Sequence, residues 1–163
     1  MNNYGEYLSL VENILNDEEF IKLKKCPHHG TTRYDHSVNV SYKSYKIAKL
    51  CKLSYKEVAR SALLHDFFNN EKANMKDRIK ATFTHPVEAE NNARDKFNIS
   101  EKEAKIIRSH MFPVNFTLPR DKESWVVTIC DKVAYVEEYS KTIFNKFKYV
   151  VGVFGIVILN FIK

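Results

Sequence analysis

The stretch SYKEVARSALLHDFF, residues 54–68, decides how the rest of the chain is read. Ser54 and Glu57 have the spacing of a capping box, in which a serine and a glutamate three residues on cap each other's backbone amides, so a helix is expected to start here. That helix runs through Leu63 and Leu64 straight into two ionisable groups, His65 and Asp66, with Phe67 and Phe68 behind them. Adjacent ionisable groups in apolar surroundings are costly to bury unless something pairs with them. Their partner must come from elsewhere in the chain.

Outward from that stretch the pattern is helical throughout. Only four glycines and four prolines occur in 163 residues, and apolar residues recur at helical spacing, which points to an all-α single domain of about six or seven helices over residues 1–163. Tyr7, Leu8, Val11, Ile14 and Leu15 share one face of a first helix, and His36, Val40, Ile47, Ala48 and Cys51 share a face of the next. NNEKANMKDRIK, residues 69–80, reads as a loop or short helix, and THPVEAENNARDKF, residues 84–97, as a helix entered through Pro86 in its first turn. Ser100 and Glu103 form a second capping box, opening a helix that ends in IIRSHM. Pro113 to Pro119 is a loop, and a long helix follows from about Lys122.

Composition sets outer limits on function. The chain is 44% hydrophobic and 28% charged, as in ordinary folded proteins, and 26 basic against 20 acidic residues leave a net charge of +6. A positive surface steers anions inward, but no arginine-rich tract or aromatic-interleaved basic ribbon supports specific nucleic-acid binding. Cys26, Cys51 and Cys130 make neither a disulfide framework nor a zinc knuckle; Cys51 and Cys130, among apolar residues, read as buried thiols in a reducing compartment. The acidic, interrupted N-terminus is no signal peptide, so the cytoplasm is the expected location.

The histidines answer the question raised by residues 65 and 66. His36 lies on an apolar helical stripe, His85 at an expected helix start, His110 at a helix end, and Asp131 follows WVVTIC within the long helix. Singly, each has a plain structural explanation: a satisfied core histidine, a cap, a group drawn to the helix dipole, an aspartate paired with Lys132. Together, four imidazoles and two carboxylates from five segments form the nitrogen and oxygen donor set that a borderline transition metal prefers.

The order RYDHSVNV, ALLHDFF, THPVEAE, IIRSHM, ICDKVAYVEEY, over roughly residues 28–140, resembles the HD superfamily of metal-dependent phosphohydrolases, in particular its binuclear branch. The resemblance implies a helical-bundle metallohydrolase core and two divalent transition-metal ions, drawn from iron, manganese, zinc, nickel or cobalt. His36, His65, Asp66 and Asp131 would bind one ion, and His85 and His110 the second, with Asp66 bridging. His65 and Asp66 would stand at the catalytic centre, where a metal-activated water attacks a phosphate ester or anhydride, with a small phosphorylated molecule, foremost a nucleotide, as substrate. Many family members carry a lysine three residues, or a glycine two residues, after the aspartate; here Asn69 and Phe68 stand in those places. The alternative is therefore a non-catalytic regulatory protein that binds metal and nucleotide. Arg33, one turn before His36, is placed to hold a substrate phosphate, and His29–Gly30 resembles a loop found just before the first ligand in some relatives, which makes His29 a second candidate for substrate contact. Arg108 and Lys132 flank ligands but are expected to point away.

Residues 149–162, YVVGVFGIVILNFI, close an apolar C-terminal segment (142–163). Fourteen helical residues cover about 21 Å, short of the roughly 30 Å hydrocarbon core. Burial in the core or in a homodimer interface is the first expectation and shallow membrane attachment the second. Seven β-branched residues and two glycines leave its helicity open.

Overall fold

The computed structural model describes residues 3–28, 30–68 and 75–161, with side chains over 3–28, 30–68 and 82–144. Among the described residues seven α-helices follow one another: α1 (Asn3–Leu15), α2 (Glu18–Lys22), α3 (Arg33–Leu50), α4 (Tyr55–Leu64), α5 (Met75–Phe97), α6 (Glu101–Ser109) and α7 (Lys122–Phe161). A two-residue hairpin, β1 (Pro27–His28) with β2 (Thr31–Thr32), is the one departure from helix, turn and loop among the described residues. The fold is all-α, as the spacing and the scarcity of glycine and proline indicate.

Helix α4 is the axis of the molecule. Val58, Ala59, Ser61, Ala62, Leu63 and Leu64 are all buried, so it is enclosed on nearly every side. One face joins Tyr7, Val11, Ile14, Phe20 and Tyr45 from the N-terminal half and Ala89, Ala93 and Ile107 from α5 and α6. The other packs Val58 and Ala62 against Val40, Ala48, Ile106, Val127, Cys130 and Ala134. Truncating a buried leucine such as Leu63 to alanine in such a setting costs about 2–5 kcal/mol.

Several local expectations change. The Ser100–Glu103 capping box forms in both directions, but the Ser54 side chain makes no cap hydrogen bond. Lys102 donates to the Ser54 hydroxyl, and Glu123 accepts from the Ser54 amide, so a tertiary network takes the place of the local one. Pro86 does not open its helix. Helix α5 begins upstream at Met75 and Pro86 lies inside it, where a proline forfeits one backbone bond and crowds the carbonyl four residues back. The Ala89 and Ala93 packing face and the Glu90 ion pairs offset that cost. Cys51 is exposed at the C-terminus of α3; only Cys130 is buried, and burial raises its thiol pKa. Backbone helix continues through the apolar tail to Phe161, while its side chains, and hence its expected burial, lie outside the described residues.

Gly30 shapes the hairpin. Its φ of +90° lies where side chains are strained, and a β-carbon there would stand 2.1 Å from Thr142 Oγ1 on α7. Gly30→Ala should lower stability by about 1–3 kcal/mol in denaturant titrations. Adding Thr142→Ala should recover part of the loss, leaving the φ strain; full recovery, or no initial loss, would contradict this packing.

Candidate metal centre

The C-terminal ends of α4 and α6 solve the same local problem in the same way. Both helices leave unpaired carbonyls in their last turn. His65 follows the last residue of α4 and its Nδ1 donates to the Ala62 carbonyl at 2.7 Å. His110 follows the last residue of α6 and its Nδ1 donates to the Ile107 carbonyl, also at 2.7 Å. Each bond caps a helix and fixes a tautomer, so Nε2 of each ring is left as an acceptor aimed inward.

Helices α3 and α7 supply the opposite side. Thr32 caps α3 through the Asp35 amide, which sets the first turn so that His36 points into the bundle. Its Nδ1 donates to Glu138 Oε2 at 2.8 Å, and its Nε2 lies 3.0 Å from Asp131 Oδ1. Glu138 also accepts from Asn39, and Asp131 Oδ2 accepts from Lys132 at 2.6 Å. His85 on α5 closes the far side, its Nε2 3.1 Å from that of His110. Glu90, held by Arg94 and Arg108, ties α5 to α6 and sets that spacing. Arg60 with Glu103 does the same for α4 and α6.

Asp66 sits between the two groups, and its oxygens divide between them. Oδ1 faces His85 Nε2 at 3.4 Å and His110 Nε2 at 3.7 Å, whereas Oδ2 faces His65 Nε2 at 3.9 Å. His65 Nε2 is 3.7 Å from Asp131 Oδ1 and has no hydrogen-bond partner, although it is buried. An orphaned buried nitrogen surrounded by carboxylate oxygens calls for a ligand. Ligand bonds of about 2.0–2.2 Å produce donor-to-donor edges of about 3–3.5 Å, close to the spacings seen, so the residues fit a metal ion. His36, His65 and Asp131 form one potential triad, and His65, Asp66 and His110 a second. His28, from the hairpin, joins His36 and Asp66 in a third.

Electrostatics fit the same reading. Burial works to raise the Asp66 pKa, but the surrounding imidazoles, His65 and His85 foremost, hold it well below the usual carboxylate range. Burial also opposes ionisation of Asp131, and His36, His65 and Lys132 outweigh it. Burial and the neighbouring His65 and His85 push His110 down to about 3, so it stays neutral. His36 goes the other way: burial would lower it, but hydrogen bonds to Asp131 and Glu138 raise it to about 10.

All six ligand residues expected from sequence thus meet in one place. Arg33 does not reach an open mouth: it is 8% exposed, its Nη1 donates to the Phe68 carbonyl at 2.6 Å, and its guanidinium lies 3.8 Å over the Phe68 ring. Phe68 in turn stacks on His85 at 4.9 Å, so Arg33 braces a ligand. Lys132, expected to point away, instead joins Asp131 to the His110 carbonyl. His29 and Asn69 lie outside the described residues. Glu138 and His28 were not singled out from sequence. Glu138 stands seven residues after Asp131 on the same helical face, which was the available signal; for His28 the sequence offered only its neighbour, His29.

A family model described as HD domain matches residues 33–136, which takes in His36, His65, Asp66, His85, His110 and Asp131. No curated protein and no solved structure matches the chain.

The protonation states carry a sign. A metal at His36 must displace the proton that its raised pKa retains, while Asp66 and Asp131 are already ionised and His110 already neutral. Metal affinity should therefore climb with rising pH until about 10, where His36 loses its proton unaided, with roughly one proton released at this position below that pH. Calorimetry in buffers of different ionisation enthalpy measures it; a flat affinity with no proton release would contradict the assignment.

Proposed function

The chain belongs to the HD-domain family, and from that premise we propose that it is a divalent-metal phosphohydrolase with a two-ion centre, acting on a phosphate ester or anhydride of a nucleotide. The observation that carries the two-ion reading is the division of Asp66: one oxygen turned to His85 and His110, the other to His65. A shared carboxylate between two sets of imidazoles is the arrangement a bridging ligand requires. HD domains bind divalent metals, and the histidine and aspartate clusters here match that chemistry. Bound there, a pair of ions would lower the pKa of water and stabilise the attacking and leaving oxygens of a phosphoryl transfer.

The chain's own residues do the rest. The Ala62 and Ile107 carbonyls hold His65 and His110 with Nε2 inward, so both rings already face the position a cation would take. Glu138 orients His36 and raises its basicity, as carboxylates behind ligating histidines do. Lys132 occupies one oxygen of Asp131 and leaves the other facing His36. Its half-exposed ammonium also supplies a cation beside the ligands, suited to a substrate phosphate oxygen, in a sequence that lacks the lysine found after the aspartate in many relatives. The net charge of +6 draws anions to the protein without selecting among them.

Metal analysis of the purified protein, followed by turnover of a nucleotide panel and of bis(p-nitrophenyl) phosphate, tests the proposal. His65→Ala and Asp66→Ala should each empty the centre and lower the thermal midpoint, because binding energy is also folding energy. His85→Ala and His110→Ala should each lose one ion and keep the other. Unchanged metal content in the first pair would sink the site, and loss of both ions in the second pair would make it mononuclear. A metal-loaded protein that binds nucleotide but hydrolyses nothing would establish the regulatory alternative.

A further inference from the structure

Resting on the metal reading above, we propose that His28 is an additional ligand of the centre, carried by the hairpin to its solvent side. His28 lies before the span that the family model covers, so the matched domain does not account for it. His28, His36 and Asp66 each place a ligand atom within 4.8 Å of the other two, and the His28 ring centroid is 4.5 Å from that of His36. The other four histidines of the centre are buried, whereas His28 is only partly so, which puts it between the cluster and water.

The hairpin is built to hold the ring there. His28 pairs with Thr31 and Pro27 with Thr32. The Arg33 amide donates to the Cys26 carbonyl at 2.9 Å, tying the base of the hairpin to the first turn of α3, three residues from His36. On the other side Gly30 is seated against Thr142 of α7, one turn beyond Glu138. The backbone on both sides of His28 is thereby anchored to the two helices that carry His36 and Asp131. A side chain delivered to a cation by a two-point anchored turn loses little entropy on binding. An imidazole nitrogen is the donor type already assembled there. It would complete the coordination of the ion on the His36 side, where Asp131 presents one oxygen and gives the other to Lys132.

Cobalt(II) titration of the wild type, His28→Ala and His28→Gln tests this directly, read by calorimetry and by the visible d–d absorption. Circular dichroism and melting of the metal-free proteins report folding, which a partly exposed position should leave unchanged. Both variants should bind cobalt with an affinity loss on the order of tenfold or more, since even partners one step behind a ligand are worth that much. Their d–d bands should shift in position and intensity because one nitrogen donor is lost. Variants that match the wild type in affinity and spectrum would overturn the proposal and leave the metal site standing. A wild type that takes up no cobalt would remove both.

Discussion

A carboxylate buried at the end of the enclosed helix α4 is the constraint on which the rest depends. Asp66 stays ionised with little access to water, and a lone buried charge would cost several kcal/mol or more. Polar groups able to hold a cation against it must surround it from every direction that solvent does not. The helices deliver that environment: His65 from α4 itself, His85 from α5 and His110 from α6 crowd the carboxylate, with His28 approaching from the hairpin. Four imidazoles around one carboxylate, with a second carboxylate behind them, is a poor way to neutralise a charge for stability alone. It is an effective way to hold cations.

The architecture follows from that demand. Each ligand-bearing helix is pinned to a neighbour by an ion pair or hydrogen bond that has no other evident use. Arg60 with Glu103 links α4 to α6, Glu90 with Arg94 and Arg108 links α5 to α6, and Asn92 donates to the Phe67 carbonyl to hold the segment after Asp66. Lys43 with Glu137 and Asn39 with Glu138 join α3 to α7. The apolar clusters on the two faces of α4 supply cohesion, and these polar ties set the spacing of the donors. Stability and site geometry are thus carried by different residues, and a site built on helices is held more tightly than one on loops.

Much of this was legible in the residues. Helical spacing announced α1, α3 and α7, because burial of one face leaves a period that survives any particular packing. The six donors were legible because the plain explanation open to each one singly does not account for all six in a fixed chain order. What stayed hidden depends on contacts between distant segments. The Ser54 box gives way to Lys102 and Glu123, which lie far along the chain. Pro86 reads as a first-turn residue until the helix is seen to start at Met75. The approach of His28 depends on a two-residue strand, which is too short to leave a pattern. Arg33 read as a phosphate contact at the mouth of the site because nothing nearby in sequence shows that the Phe68 ring and carbonyl will cover it.

The membrane question is narrower than the apolar tail suggests: among the described residues no helix is long and apolar enough to cross a bilayer. The central claim, two cations held by nitrogen and oxygen and bridged by Asp66, is open to X-ray absorption at the metal edge of the loaded protein. The account predicts a shell of nitrogen and oxygen only, multiple scattering from imidazole, and a metal–metal vector at about 3.5–4 Å. A sulfur shell, or a fully loaded protein with no metal–metal vector, would contradict it.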